Sequence, residues 1–493
     1  MRYALILAGG RGSRLWPVSR RGTPKQFLPL IRGRSLLEWA FRRLDGVVDL
    51  ENRYVCAGER HRNRVCRLLP ELTQRGWLGE PCGRDTLAAV SFGFMRILQR
   101  DPNATIAMIS ADLYMTPADR FRETLIDGFE FVESQPDTLL TFGVPPTYAA
   151  TGYGWIELED SSPETETDSG GRRERVRKVR RFCEKPTLDV ARRWYRAGAG
   201  RFLWNSGIFL GNAATFCELL RRFEPDFYEE MEQITKLWEM SEPSAEAVRR
   251  YSELKRTSVD YAILERAAAN PARNEGGVRT TGNGTAGGVS VSVFSDDMEW
   301  SDVGSWTAAA IGTPVDGRGN VVNPGNRGDT RREKTVVFCD SAECSVFQFT
   351  SPLRRHRIRL LGVRGGIVVE TDEIVLITTR NAVQRVRTLA DRRFRGAGWC
   401  ERRRIRNDNK NRQLGRKRGS GEGVFIDCDH YRFVAVRCPP RVVVLGVEGV
   451  DMVVDGSTIT LVAGPFRDQY RSLQRLRKLE WLAIPGKNGE KKC

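Results

Sequence analysis

The sequence predicts an α/β protein: a doubly wound, mostly parallel sheet over residues 1–310, followed by a β-rich region over 311–493. Three observations carry this expectation. Short apolar runs alternate with stretches of helical periodicity as far as about residue 310, the pattern of βαβ units. Glycines follow directly on the first apolar run, as where a chain turns out of a buried strand. Beyond residue 310 the helical periodicity fades, and short Val/Ile-rich runs stand between Gly and Asp turns.

Taken in order, residues 3–8 are continuously apolar and read as a strand buried on both faces. Ser35 and Glu38 form a capping-box pattern ahead of Leu37, Ala40, Phe41 and Leu44, which share one helical face. Residues 53–57 read as a second strand, 86–98 as an apolar helix and 105–110 as a strand. Phe121, Leu125 and Phe129 recur at helical spacing, and 139–144 is again strand-like. Residues 159–175, acidic and rich in Ser and Thr, and 268–288, rich in Gly, Asn and Thr, read as exposed loops. In the C-terminal region Leu361-Gly-Val-Arg-Gly, then Ile367-Val-Val-Glu, recurs as Leu445-Gly-Val-Glu-Gly, then Met452-Val-Val-Asp. This predicts a duplicated unit, about 361–390 and 445–479, around a basic linker at 401–420. Each copy leads into a basic segment of helical spacing, 382–389 and 469–479.

Composition narrows the chemistry. Lys and Arg number 79 against 62 Asp and Glu, a formal charge of +17 that suits an anionic ligand or a nucleic acid. The charge does not choose between the two, and a solvated, Arg-rich surface is the simpler account of it; no interleaved basic and aromatic surface for reading nucleic acid can be identified. No apolar run is long enough to span a membrane, and a cytoplasmic protein is expected. The 11 cysteines are scattered, without a C-x-x-C pair, which predicts free thiols rather than a zinc ribbon or a disulfide framework. Only three His, at 61, 356 and 430, argue against a His-based metal site or a Ser-His-Asp triad.

The strongest motif follows the first strand: Leu7-Ala8-Gly9-Gly10-Arg-Gly12-Ser-Arg14, then Pro24-Lys25-Gln26-Phe27. Glycines there let backbone N–H groups approach phosphate oxygens, and Arg14 and Lys25 add charge-assisted bonds to a polyphosphate. A Walker A loop is excluded because no Lys-Ser/Thr pair has the spacing. A dinucleotide fingerprint is excluded because Leu15 stands where its third Gly belongs. Asp112 follows the 105–110 strand, where ligand sites of open α/β sheets lie. Asp302 stands in a turn flanked by tryptophans. Two carboxylates from distant segments suit a hard, oxygen-seeking Mg²⁺ held against substrate phosphates.

These strings resemble the signature of the sugar-1-phosphate nucleotidyltransferases, the mannose-1-phosphate guanylyltransferase branch above all. Further motifs of that family follow in order over residues 3–306. They are Glu80-Pro-Cys-Gly83-Arg84-Asp85-Thr86, Ser110-Ala-Asp112, Thr151-Gly152-Tyr-Gly-Trp, Phe182-Cys-Glu184-Lys185-Pro186, Trp204-Asn205-Ser206-Gly207, Ser258-Val-Asp260-Tyr261 and Trp300-Ser-Asp302. The resemblance implies a nucleotide-diphospho-sugar transferase fold that forms GDP-mannose and pyrophosphate from GTP and mannose 1-phosphate. It implies nucleotide contacts at Leu7, Ala8, Gly9, Gly10, Gly12, Arg14, Lys25, Glu80, Gly83, Arg84 and Asp85, with Arg14, Lys25 and Asp112 carrying catalysis. Sugar contacts would come from Gly152, Glu184, Lys185, Asn205 and Gly207, and Mg²⁺ from Asp112 and Asp302. Gly319-Asn-Val-Val322 resembles the start of the short left-handed β-helix of related enzymes, so stacked β coils and a homodimer contact are expected after residue 311. Some relatives carry a fused, His-rich isomerase domain. With only His356 and His430 in this region, no second activity is expected.

The chain also departs from the family pattern. Ser110 and Leu113 replace the usual Pro and His around the metal carboxylate, and Asp85 and Leu87 alter the Arg-Asn-Thr-Ala string near the base. Two alternatives stay open on these grounds: the same chemistry with another nucleotide or sugar, such as thymidylyl or adenylyl transfer to glucose 1-phosphate, and a regulatory homologue with little turnover.

Overall fold

A computed structural model describes residues 1–10, 12–20, 22–159, 176–238, 243–269, 289–295, 298–323, 325, 336–350, 356–387, 423–427, 432–437, 441–445, 447, 450–455 and 458–463. The segments expected as loops at 159–175 and 268–288, the linker 401–420, the segment 469–479 and His430 lie wholly or almost wholly outside these residues. The chain divides into two compact units. One comprises residues 1–11, 24–28 and 35–303, the other 12–23, 29–34 and 304–493.

The first unit is built on a sheet of β1 (Arg2–Leu7), β2 (Arg53–Gly58), β3 (Trp77–Glu80), β4 (Thr105–Ser110), β6 (Thr138–Val144), β7 (Trp155–Leu158), β8 (Val176–Cys183), β9 (Phe202–Asn212) and β10 (Ser290–Ser295). A separate pair is formed by β5 (Leu113–Thr116) and β11 (Glu299–Asp302). The strand order in the large sheet is β3-β2-β1-β4-β9-β6-β10-β8-β7. β3, β2, β1 and β4 are parallel, as expected. The sheet is nonetheless mixed: β9 runs against β4, β6 and β7, and β8 runs against β10 and β7. β9 lies between α5 (Leu188–Ala197), which joins it to β8, and α6 (Ala213–Phe223); β7 runs against both β8 and β9, so these two point the same way, opposite to β4 and β6.

Alternation along β1 explains its unbroken apolar run. Tyr3, Leu5 and Leu7 enter a core with Leu87, Val90 and Phe94 of α3 (Asp85–Leu98) and Phe216 of α6. Ala4, Ile6 and Ala8 enter a second core on the other face, with Leu37, Ala40 and Phe41 of α1 (Leu36–Arg42), Val65 of α2 (Arg62–Leu68) and Phe121, Leu125 and Phe129 of α4 (Ala118–Ser134). Gly93 sets how closely α3 approaches β1, because a Cβ there would lie 2.4 Å from the Leu5 side chain. Ser35 caps α1 as its sequence predicts: its hydroxyl accepts from the Glu38 amide while Glu38 accepts from the Ser35 amide.

In the second unit, β12 (Val321–Asn323), β14 (Ser345–Phe349), β16 (Gly366–Thr371), β17 (Val375–Thr379), β20 (Arg441–Leu445) and β18 (Gly423–Asp427) form one sheet. β13 (Val336–Cys339), β15 (Arg357–Leu361), β22 (Thr458–Ala463), β21 (Val450–Asp455) and β19 (Arg432–Arg437) form the other. Both copies of the Leu-Gly-Val pattern make the same pairings. A strand leads into an antiparallel hairpin, β16–β17 in one copy and β21–β22 in the other. The copies interlock by parallel pairing, β17 with β20 and β15 with β22. Val, Ile and Leu from both sheets, among them Val346, Val368, Ile377, Val444 and Leu461, share one core. The His356 ring is engaged by the buried Glu370, at 2.6 Å.

Candidate active site

The strand order reverses between β1 and β4, and the chain leaves both strands toward the same end of the sheet. That end is where an open α/β sheet forms its ligand crevice. After β1, Ala8 donates to the Cys56 carbonyl at 2.8 Å, and Gly9 offers its own carbonyl to the Gln26 side-chain amide. Gly10 has φ +101°, a backbone only glycine adopts without strain, and a Cβ there would meet Gln26 at 3.3 Å. The Gly9–Gly10 turn is thus fixed by Gln26, which is buried in the Pro24–Phe27 segment together with Lys25. Gly12 and Arg14 belong to the other compact unit, where the Leu15 amide bonds the Gly12 carbonyl at 2.9 Å.

Asp112 and Asp302, 190 residues apart, are brought together by the β5–β11 pair, with Asp302 in register with Leu113 and the Val303 amide bonded to the Asp112 carbonyl at 3.0 Å. Asp302 therefore ends a strand, and the turn expected from its flanking tryptophans is corrected. The Trp side chains are used in packing instead, Trp300 against Tyr153 at 4.9 Å and Trp306 against Phe347 at 4.8 Å. Between the two carboxylates lies the Lys25 ammonium, 2.5 Å from Asp112 Oδ2 and 3.1 Å from Asp302 Oδ1. Burial alone would lower the pKa of Lys25, but the two carboxylates outweigh it and hold it above the ordinary lysine value. Burial likewise pushes the Asp112 carboxyl up, and Lys25 with the Ser110 hydroxyl pulls it below the usual range. Both groups are therefore charged at neutral pH. Two hard oxygen donors around an existing cation suit a divalent metal such as Mg²⁺.

Glu80 ends β3 and accepts from the Tyr251 hydroxyl at 2.7 Å. Burial pushes its carboxyl up to about 7, against the pull of that bond. Gly83 is exposed and open, Arg84 precedes the first turn of α3, and Asp85 has φ +71° and accepts from the Thr86 amide. Thr86 and Leu87 tie this segment to residues 257–259: the Val259 amide donates to the Thr86 hydroxyl and the Leu87 amide to the Thr257 carbonyl.

The expected sugar residues also converge. A Cβ on Gly154, two residues beyond the open Gly152, would lie 2.4 Å from Glu184 Oε1 and 3.3 Å from Asn205. Asn205 Oδ1 accepts from the Thr141 hydroxyl and from the amide of Gly207, which turns at φ +78°. Lys185, at φ +46°, pairs with Glu184 at 2.7 Å. Four neighbours were missed as site residues by the sequence reading. Asp260, held by Asn205 Nδ2 at 3.5 Å, is pushed up to about 7 by burial and then by Glu184. Glu265 accepts from the Glu184 amide at 2.9 Å, and Tyr251 holds Glu80. Asp260 stood in the Ser258–Tyr261 motif, which was its signal. The fourth, Arg43, lies three and seven residues beyond Ala40 and Leu36, on the inward face of α1.

Residues 3–311 match the Nucleotidyl transferase family. The chain is 31% identical over 398 residues to the mannose-1-phosphate guanylyltransferase of Escherichia coli K12, covering 79% of this chain and 73% of that protein. It is 29% identical over 403 residues to the xanthan biosynthesis protein XanB of Xanthomonas campestris (strain ATCC 33913), covering 80% and 74%. A solved structure described as a mannose-1-phosphate geranyltransferase from Thermus thermophilus superposes with a TM-score of 0.63 at 28% identity, covering 79% of this chain and 98% of that one.

Proposed function

The chain belongs to the nucleotidyl transferase family, and on that premise we propose that it joins GTP to mannose 1-phosphate, releasing pyrophosphate and GDP-mannose. An oxygen of the sugar phosphate attacks the α-phosphorus in line, the bond from the α-phosphorus to the bridging oxygen breaks, and pyrophosphate leaves with that oxygen. The attacking phosphate is ionised at neutral pH, so no general base is required and the scarcity of His is consistent with the reaction. What remains is positioning and charge neutralisation. The observation that carries this reading is the pair Asp112 and Asp302 closed around Lys25 at the crevice end of the sheet.

Asp112 and Asp302 would hold Mg²⁺, which supplies charge neutralisation to the triphosphate. The turn at Leu7–Gly10 offers backbone to the phosphates. Lys25 pairs with them, and the motif assigns Arg14 the same task. Glu80, Gly83, Arg84 and Asp85 line the base side. Guanine presents two donors on one edge, and a carboxylate at Glu80 would accept them. Lys185 pairs with the acceptor phosphate, while Glu184, Asn205 and the Gly152 and Gly207 turns take the sugar. In the second unit the parallel pairings β12–β14–β16 and β13–β15 are those that stacked β coils would make, and a short left-handed β-helix there, with a contact to a second copy of the chain, is part of the proposal. The reaction draws on the cytoplasmic pool of nucleoside triphosphate, and the cytoplasm is the proposed location. Among the described residues no helix is long and apolar enough to cross a membrane.

Pyrophosphate release across four nucleoside triphosphates, each with mannose 1-phosphate and glucose 1-phosphate, tests the reading. GTP with mannose 1-phosphate is expected to give the highest kcat/KM. Preference for thymidine or adenosine triphosphate would overturn the base assignment, and preference for glucose 1-phosphate the sugar assignment. Lys185→Ala is expected to raise the KM for the sugar phosphate about tenfold or more, the worth of one charge-assisted bond, with nucleotide binding unchanged. Calorimetry that finds weakened nucleotide binding with intact acceptor affinity would move Lys185 out of the sugar side.

A further inference from the structure

We propose that Arg43 is a built-in counterion of the Asp112/Asp302 pair, balancing it together with Lys25 so that the pair captures a divalent cation only when a nucleotide polyphosphate arrives. This rests on the reading that the pair is the metal site. Arg43 is buried at the end of α1, with 6% of its surface exposed. Its guanidinium grips the Leu113 carbonyl through Nη2 at 2.5 Å and reaches the Trp39 carbonyl through Nε at 3.3 Å. The ring of Phe121 lies 5.3 Å from it. Its Nη1 is buried without a partner among the described residues. No carboxylate among the described residues stands at ion-pair distance from it; burial lowers its pKa, against the opposing fields of Asp112, one residue before the carbonyl it holds, and of Tyr114.

A buried, unpaired guanidinium is costly, and an apolar side chain of similar shape would join α1 to β5 at less cost. The α1 face around it is supplied with Leu, Ala and Phe, so packing alone gives no reason for a charge here. Its electrostatic effect does. Asp112 has Ser110 and Lys25 on its carboxylate and Arg43 on the carbonyl of the next residue, so Arg43 adds a second buried cation to the one, Lys25, that the two carboxylates hold between them. A bare divalent cation approaching this balanced set gains little attraction and must displace the Lys25 ammonium. A triphosphate changes the balance: its oxygens give Lys25 a new partner, and the carboxylates then have a net negative charge to offer. Arg43 is in this scheme a positioning and tuning residue, since it touches neither nucleotide nor sugar.

The test titrates Mn²⁺ into the nucleotide-free full-length chain and follows free Mn²⁺ by electron paramagnetic resonance. Arg43→Gln keeps a donor for the Leu113 carbonyl and removes the charge. It is expected to bind Mn²⁺ at least tenfold more tightly than wild type, and Lys25→Gln likewise. Arg43→Lys, which keeps the charge, is expected to match wild type. Wild-type affinity in folded Arg43→Gln overturns the proposal, as does equal tightening in Arg43→Lys, which would assign the effect to packing. Should Arg43→Gln fail to fold, Arg43→Met, which keeps the length of the stem without the charge, is read in its place, and wild-type affinity there likewise overturns the proposal. Failure of the underlying metal reading is separable: in that case Mn²⁺ binding in the presence of GTP would survive Asp112→Asn.

Discussion

Asp112→Asn is expected to lower turnover by about a thousandfold or more, some 4 kcal/mol of transition-state stabilisation, with the fold intact. The substitution keeps the shape of the side chain and leaves an oxygen to accept from the Ser110 hydroxyl, which donates to Oδ1 in the wild type. What disappears is the charge. Lys25 is not orphaned, because Asp302 Oδ1 and the Val303 carbonyl, at 3.1 and 3.3 Å, still receive its ammonium. The backbone link from Val303 to Asp112 does not involve the side chain, so the β5–β11 pair should persist. Unfolding temperature and GTP affinity separate the two effects: a chemical role predicts a small change in the first and a loss of turnover far larger than any change in the second. Retention of more than about a tenth of the activity, under 1.4 kcal/mol, would remove Asp112 from the metal site.

Periodicity made legible what local physics decides. β1, β4, α1 with its capping box and α3 stand within a residue or two of where apolar spacing puts them. The direction of β9 was not legible, because an apolar strand flanked by helices reads the same whether it runs with or against its neighbours. Asp302 illustrates a second limit. Its tryptophans suggested a turn, yet it ends a strand whose partner lies nearly 190 residues earlier, and cross-strand pairing at that range leaves no local trace. Lys25 was assigned to phosphate by its motif, and its seat between two carboxylates required the fold. Arg43 is the clearest case. Arg42 and Arg43 are neighbours of identical type, and only the helical phase from Leu36 and Ala40 marks the second as the one that points inward.

Lys25→Gln is expected to cut kcat by a hundredfold or more while the KM for the sugar phosphate stays near wild type. Gln preserves most of the length of the side chain, which the Pro24–Phe27 turn delivers into a space that leaves 9% of its surface exposed, so the fold around it has little reason to change. The transferred charge is another matter. In the reaction proposed here, negative charge moves onto the departing pyrophosphate, and a fixed, buried ammonium stabilises that charge more than it stabilises bound GTP. The pH profile supplies an independent check. In the wild type Lys25 sits above its ordinary pKa and Asp112 below its own, so neither should titrate between about pH 5 and 9. With Lys25 gone, Asp112 keeps its burial and loses the neighbour that held it down, so its pKa rises. The acid limb of kcat is therefore expected to shift toward neutral pH in Lys25→Gln, whereas a purely steric role would leave it in place. Lys25→Ala adds a chemical probe, since a small alkylammonium ion that enters the vacated space should restore part of the turnover. A defect confined to the KM of the sugar phosphate, with an unmoved acid limb and no rescue by amines, would place Lys25 on the acceptor rather than on the triphosphate.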